Sequence, residues 1–424
     1  MRKVYIIGSD MLAFGKYIDV THHELGKRTF LNVLNDAKIQ AGQIQSVHFG
    51  NCLWGYDLNQ QCIRGHIIMK YCGLDQVPVT NVEAACATGS AALYGAFKDV
   101  LSGLYDCSLA MGVEKLFMGS KEKMLNGFLA GADVAGFEED IAMYREVKSK
   151  LKMEIPGDDK KDRSVFMDVY ATAGLWHMEH YGTTQEQLAV IAAKSHCNGA
   201  LNPKAQYRFS MTPEEVLKDY AVTYPMTRAM CSPMTDGAAS AIVCSEEFLK
   251  KLPQETQDRA VAIRAISFIS GKEFTPDEVC DDLRLISAAR RGTQQAYELA
   301  GLGPKDIDLV EVHDASVIGE LYQYENMGFC PIGEAGPFAA SGATQIGGKI
   351  PFNTSGGLIS RGHPIAATGL AMTYELVTQL RGEAGKRQVE DARIGMAENG
   401  GGQNGLEEAA CAITILEGNG KRTK

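Results

Sequence analysis

Cys86 lies in Val77-Pro-Val-Thr-Asn-Val-Glu-Ala-Ala-Cys-Ala-Thr-Gly-Ser90, where a short β-type run gives way to Leu93, Phe97, Val100, Leu101 and Leu104 at helical spacing. A cysteine at such a strand-to-helix turn faces unpaired N–H groups and the positive end of the helix dipole. Both favour the thiolate, which is the nucleophile. The chain has eleven cysteines, however, and an isolated one serves as readily as a small buried apolar residue. Chemistry at Cys86 needs partners, and three other segments offer them.

The first is Asn353-Thr-Ser-Gly-Gly-Leu-Ile-Ser-Arg-Gly-His-Pro-Ile-Ala-Ala-Thr-Gly369. Its glycines permit close backbone approach, and Pro364 suits the first position of a helix. An imidazole held there, His363, could accept a proton from a thiol; the alternative is a satisfied core histidine. In the second, Ile307-Asp-Leu-Val-Glu-Val-His-Asp-Ala-Ser316, a strand delivers His313 to its C-terminal end, where open α/β sheets place ligand chemistry. His313 could donate to a developing oxyanion, and Asp314 could equally cap a helix. The third, Met396-Ala-Glu-Asn-Gly-Gly-Gly-Gln-Asn-Gly405, reads as a flexible turn carrying Glu398 and free backbone N–H groups. It is a weak phosphate-loop signal, since a strand follows it.

Alternating strands and helices must position these residues, which predicts an α/β fold. Strands are expected at Val4 to Ile7, Ser46 to Phe49, Val77 to Val82, Cys107 to Val113 and Ala239 to Cys244. Four more are expected at Ala260 to Ile269, Ile307 to Val312, Arg393 to Ala397 and Ala409 to Leu416, with helices at Glu24 to Ala41, Ala288 to Leu299, Val317 to Tyr324 and Pro364 to Leu380. The order reads as one unit written twice, with halves 1–257 and 258–424. Residues of about 119–235 differ in character and read as an inserted lid. They include the charged run Arg145-Glu-Val-Lys-Ser-Lys-Leu-Lys-Met-Glu154 and the turn Pro156 to Arg163, whose lysines form an ordinary solvated face.

The 424 residues carry 42 Lys plus Arg against 52 Asp plus Glu, a formal charge of -10 that argues against general nucleic-acid binding. No CxxC pair or Cys/His cluster has zinc-ligand spacing, so no metal is expected. Reduced cysteines, no signal peptide and no apolar run near 20 residues predict a soluble cytoplasmic protein with no membrane association.

Taken together, these segments resemble the thiolase superfamily over essentially the whole chain. Cys86 in Cys-Ala-Thr-Gly-Ser is similar to the family's nucleophile segment, and Gly356 to Gly369 to its active-site histidine segment. Gly112-Val-Glu114, Asn202-Pro-Lys-Ala-Gln-Tyr207 and Pro233-Met-Thr-Asp-Gly-Ala-Ala239 are supporting matches. His313-Asp314 is similar to the sterol-carrier-protein-type and archaeal branches. The resemblance implies two duplicated βαβαβαββ halves in an α-β-α-β-α layered thiolase fold. It implies an acyl-CoA C-acyltransferase that cleaves a 3-oxoacyl-CoA with coenzyme A, or runs the reverse Claisen condensation, through an acyl-Cys86 intermediate. Coenzyme A enters as co-substrate, and no cofactor is bound. His363 would take the thiol proton and His313 would serve one oxyanion hole. The backbone N–H of Cys86 and the glycine turn would form the other. Asn353, Ser355, Gly356, Gly400 and Gly401 are the candidates for binding substrate or CoA or for completing these holes.

One departure stands out. Thiolases exchange the α-carbon proton with a second acid/base, usually a cysteine in a C-terminal Cys-x-Gly segment or one just after His-Asp. Here those positions read as Glu398 and Ala315. Glu398 is therefore expected to replace the thiol, its pKa raised by a water-poor pocket. The substitution, with Met118, Met124, Phe128, Met143 and Tyr144 in the lid, points to a bulky or aromatic acyl group, although such a stripe is also ordinary core. A homodimer or larger assembly is implied. Members of this branch also pair with a small zinc-ribbon and OB-fold subunit, benzoylsuccinyl-CoA thiolase being an example. Two alternatives stand beside the thiolase reading: a related condensing or decarboxylating acyl synthase, and a non-catalytic acyl-CoA-binding subunit of a complex.

Overall fold

The computed structural model describes residues 2–156, 163–281 and 287–419. Most of the turn expected between Pro156 and Arg163 lies outside the described residues. Eleven strands are present among the described residues: β1 (Val4–Met11), β2 (Ser46–Gly50), β3 (Val79–Val82), β4 (Cys107–Glu114), β5 (Ala221–Thr223), β6 (Met226–Thr227), β7 (Gly237–Ser245), β8 (Val261–Ser270), β9 (Leu309–Glu311), β10 (Ile394–Gly401) and β11 (Ala410–Glu417). All but the small β5–β6 hairpin join one nine-stranded sheet in the order β3-β2-β4-β7-β1-β8-β11-β10-β9. These nine are the expected strands, with ends shifted by a few residues. β1 runs four residues further than expected, to Met11, and β10 likewise runs on to Gly401, so Glu398 and Gly400 are strand residues and not part of a flexible turn.

The strand order displays the duplication. Outward from the centre, the first half places its first, fifth, fourth, second and third strands side by side. The second half repeats this with β8, β11, β10 and β9, and Phe352 bridges in parallel to Val310 where a third strand would lie. The halves meet through two residue pairs, Tyr5 with Ala262 and Ile6 with Val261.

Strand alternation sorts the side chains into layers. On β7, Ala239, Ala241 and Val243 enter a core shared with helices Thr88–Leu101 and Thr368–Leu380, while Ala238, Ile242 and Cys244 enter another beneath helix His22–Ala37. In the second half, Ala397 and Leu416 face the shared core, whereas Met396, Ile413 and Ile415 face helices Ala288–Ala300 and Val317–Asn326. Two central helices thus lie between sheet halves that are themselves covered by outer helices, the α-β-α-β-α layering. Both central helices open the same way: Ala87-Thr88-Gly89 and Ala367-Thr368-Gly369 each follow a single 3₁₀ turn, Ala85–Ala87 or Ile365–Ala367. Pro364 precedes that turn, so the second helix begins at Thr368 and not at the expected proline.

Between β4 and β7 lie helices Lys121–Phe128, Phe137–Ser149, Val165–Tyr181, Gln185–Leu201 and Pro213–Lys218. Part of this region closes over the nucleophile turn, with Met118, Met124 and Phe128 packed together with Cys86 and Ile365. Among the described residues no helix is long and apolar enough to cross a membrane.

Candidate active site

β3 ends at Val82, and the chain turns sharply to bring Cys86 up ahead of the central helix. Ala85 takes φ 44°, the left-handed region that costs an L-residue about 1–2 kcal/mol. Local hydrogen bonds hold it there: the Ala84 N–H donates to Thr88 Oγ1 at 2.8 Å, the Ala85 N–H to Glu83 Oε1 at 2.6 Å and the Ala87 N–H to Ala84 O at 2.9 Å. From the far half, Asn399 Nδ2 donates to Cys86 O at 3.1 Å. Gly401 lies so close that a Cβ there would sit 2.3 Å from Ala84 O and 2.4 Å from Ala87 N. The backbone N–H of Gly402 lies near enough to the Cys86 sulfur to favour its charged form.

The surroundings of Cys86 work against the expected thiolate. Burial pushes the Cys86 thiol up to about 12, Glu408 adds to the rise, and the Gly402 N–H opposes it without prevailing. Desolvation disfavours the charged form and outweighs the helix end.

His363 supplies the missing base. Its Nε2 lies 3.2 Å from Cys86 Sγ, although 277 positions separate them in the chain. The tautomer follows from the other ring nitrogen. Thr368 Oγ1 donates its hydrogen to Pro364 O at 3.0 Å, so at 2.7 Å from Nδ1 it accepts the imidazole N–H. Nε2 is then the free acceptor, aimed at the thiol. Burial, with His313 and Arg361 nearby, holds His363 well below its ordinary 6.5 and therefore neutral. The resting pair is a thiol and a neutral imidazole.

His313 follows β9 and stands beside His363, ring centroids 5.2 Å apart. Neither ring nitrogen has a hydrogen-bond partner, although the residue is only 6% exposed. Burial lowers its pKa to about 4, leaving one N–H to offer. Cys86, His313 and His363 line one cavity of about 550 Å³. Leu125, Phe128 and Met167 of the inserted region roof it, and Lys121, Arg64 and Arg163 add positive charge to its wall.

The remaining expected site residues fall in two groups. Gly401 reaches the cavity wall. Asn353, Ser355 and Gly356 stand behind it as scaffold. Asn353 Oδ1 accepts from the Val312 N–H at 2.8 Å, and its Nδ2 donates to Glu320 Oε2 at 2.8 Å. Ser355 Oγ donates to Glu311 Oε2 at 2.6 Å and accepts from Arg361 Nη1 at 2.9 Å, inside a fully buried Arg361–Glu311 ion pair. Gly356 holds φ 99°, and a Cβ there would meet the Gly199 backbone at 2.7 Å. Glu398 is fully buried on β10: Oε2 accepts from the His313 N–H at 2.9 Å and Oε1 lies 3.7 Å from Cys411 Sγ. Asp314 does cap a helix, Gly357–Arg361, by accepting the Leu358 N–H at 2.6 Å.

Three contributors carried no sequence signal of their own. Thr368 sets the tautomer, Asn399 clamps the nucleophile turn, and Glu408 lines the cavity. Asn399 and Glu408 reach groups distant in sequence, and Thr368 a histidine five positions away. The supporting motifs act as clamps: Gln206 and Tyr207 N–H groups donate to Arg361 O and Ser360 O beneath the histidine loop, and Glu114 accepts from the Cys52 and Leu53 N–H groups.

Comparison with known proteins agrees with this geometry. Residues 4–220 match the family model "Thiolase, N-terminal domain", and residues 277–414 match "Thiolase C-terminal domain-like". The chain is 36% identical to acetyl-CoA acetyltransferase of Methanothermobacter thermautotrophicus over 96% of its own length and 98% of that protein. It is 34% identical to sterol carrier protein 2 of Gallus gallus, over 94% of its length and 69% of that protein. It is 31% identical to benzoylsuccinyl-CoA thiolase subunit BbsB of Thauera aromatica, over 95% of both chains. A solved structure titled "Ltp2-ChsH2(DUF35) aldolase" superposes with a TM-score of 0.73 at 19% identity, covering 99% of this chain and 98% of that one, a likeness of fold. With Cys86, His363 and His313 gathered at one cavity between two duplicated halves, and both family models matched, the chain belongs to the thiolase family of acyl-CoA C-acyltransferases.

Proposed function

We propose that this protein cleaves a 3-oxoacyl-CoA carrying a bulky or aromatic acyl group, or forms one in reverse, through an acyl-Cys86 intermediate with coenzyme A as co-substrate. The contact between Cys86 Sγ and His363 Nε2 carries the acyl-transfer reading. As the sulfur attacks the ketone carbon, its proton passes to Nε2 and positive charge develops on an imidazole already anchored through Thr368. The ketone oxygen becomes an oxyanion in a cavity where His313 has unengaged ring nitrogens, and such donors are typically worth about 3–4 kcal/mol of barrier. A carboxyl of the adjacent pair Glu398 and Glu408 supplies the second acid/base in place of the absent cysteine.

The acyl preference rests on a second cavity of about 180 Å³, which shares Phe166, Tyr170, Gly402 and Glu408 with the first. Tyr144, Val147, Ala173, Tyr322 and Leu406 complete its largely apolar wall. Tyr144 was among the lid residues expected there, whereas Phe128 roofs the nucleophile cavity instead. The protein works as a homodimer or larger assembly on dissolved CoA esters in a reducing cytoplasm, with a small zinc-ribbon and OB-fold subunit as a candidate partner. Thiolysis of a panel of 3-oxoacyl-CoAs, with mass spectrometry of the acylated peptide, tests the reading. Acylation at Cys86 and faster cleavage of aryl than of acetoacetyl substrates are expected. Turnover confined to acetoacetyl-CoA would remove the bulky-substrate assignment, and absence of any Cys86 adduct would remove the mechanism.

A further inference from the structure

Two adjacent glutamates at the foot of β11 have opposite fates. Glu407 turns away from the nucleophile and is held by Arg291, with Nη1 and Nη2 each 2.9 Å from a carboxylate oxygen. Glu408 turns inward. Its carboxyl lies over Gly400, where a Cβ would come within 2.3 Å of Oε1, and it lines both the Cys86 cavity and the apolar chamber beside it. No described residue donates a hydrogen bond to it. Glu398 stands behind it: one oxygen of Glu398, one of Glu408 and the sulfur of Cys411 lie within 4.8 Å of one another. Glu398 itself does not reach the cavity wall. His313, whose two ring nitrogens have no hydrogen-bond partner, lines the same cavity, marking it as a place built for a ligand's polar atoms.

Resting on the thiolase reading above, we propose that Glu408 is the catalytic acid/base that moves the α-carbon proton, and that Glu398 is the positioning carboxyl behind it. Burial and the nearby Glu398 and Glu407 keep Glu408 protonated at rest. When Cys86 Sγ bonds to the ketone carbon and the C2–C3 bond breaks, the electron pair remains on C2 as a thioester enolate. Glu408 gives its proton to C2, the CoA ester that ends in C2 leaves while the shortened acyl group stays on Cys86, and a carboxylate remains. The thiol of incoming CoA returns a proton to that carboxylate as its sulfur attacks the acyl-Cys86 thioester. The bond to Cys86 then breaks, and Cys86 recovers the proton held by His363. Every proton returns to its donor, so no further reactant is needed.

The test separates acylation from proton exchange, using acetyl-CoA and 3-phenylpropionyl-CoA in heavy water. Adduct mass at Cys86 reports the first step, and deuterium uptake at C2 of the recovered acyl-CoA reports the second. E408Q should still reach the adduct, though more slowly because Glu408 also protonates the departing CoA sulfur, and should lose uptake by about 10²–10⁴-fold. E408D should recover part of it. E398Q should slow uptake less than E408Q does and E398D should restore it, because Glu398 acts only through its neighbour. Wild-type uptake in E408Q would overturn the assignment, as would an adduct without exchange in the wild-type protein. If E408Q does not fold, E408D decides: unchanged uptake overturns the proposal, and a drop with the adduct retained supports it. Absence of an adduct in the wild-type protein with either ester would instead overturn the thiolase reading, and with it this role.

Discussion

The charge state of the nucleophile can be examined directly, because the two possibilities differ by orders of magnitude. A rise of the Cys86 thiol from 9 to about 12 corresponds to about 4 kcal/mol against ionisation. At pH 7 the free enzyme would then hold about 10⁻⁵ of its Cys86 as thiolate, whereas a thiol activated to near 7 by a helix end would hold about half. Both burial effects push toward neutrality, since desolvation raises the thiol and lowers the His363 imidazole. The assay is the ultraviolet absorbance of thiolate, wild type minus Cys86→Ser, scanned from about pH 5 to about pH 10. The expected difference is flat, with no ionisation assigned to Cys86 below the top of the range. The proton must then leave during the attack, so His363→Gln should slow acylation by about 10²–10⁴-fold. A difference signal approaching one thiolate per chain at neutral pH would refute the reasoning. It would mean that a thiolate–imidazolium pair survives in this cavity and that burial has been weighed too heavily.

Four further outcomes are expected. Thr368→Val, nearly isosteric, removes the acceptor for the His363 Nδ1–H, and steady-state kinetics should show kcat reduced about 10²-fold in a protein of unchanged melting temperature. Gly401→Ala forces a Cβ into the Ala84–Ala87 backbone and should displace Cys86, costing at least about 10²-fold in Cys86 acylation measured by mass spectrometry. Ala173→Phe fills the apolar chamber; kcat/KM should fall at least about tenfold for aryl 3-oxoacyl-CoAs and hold for acetoacetyl-CoA. Burial raises the Glu114 carboxyl to about 7, so its neutral form is favoured on folding and the stability it contributes is complete below 4.5 and lost as pH rises through 7. Glu114→Gln should flatten that part of the pH–stability curve by up to about 3 kcal/mol in denaturant titrations, and an unchanged slope would show that Glu114 titrates normally.

The sequence by itself determined the strands, the duplication and the candidates for the reacting groups. Strand alternation and turn residues are local properties, so β1, β4, β7 and β11 could be placed before any contact was known. The motifs around Cys86, His313 and His363 are local too, and the resemblance they carry extends over the chain. Tertiary structure decided what those groups are worth. Burial is a property of the assembled layers, and it made Cys86 a neutral thiol where the helix end alone predicts a thiolate. The hydrogen bond from His363 to Thr368 spans five positions, but its sense depends on the turn at Pro364 that commits the threonine's hydrogen. Asn353 and Ser355 read as site residues because they lie in the histidine segment, yet their side chains find Glu320 and Glu311 behind the cavity. Glu398 was legible as the residue in the missing cysteine's place. Glu408 was not, since only the pairing of β10 with β11 brings it across Gly400 to face the nucleophile. Period and motif are written along the chain, whereas desolvation and the meeting of distant side chains arise only when the two halves close on each other.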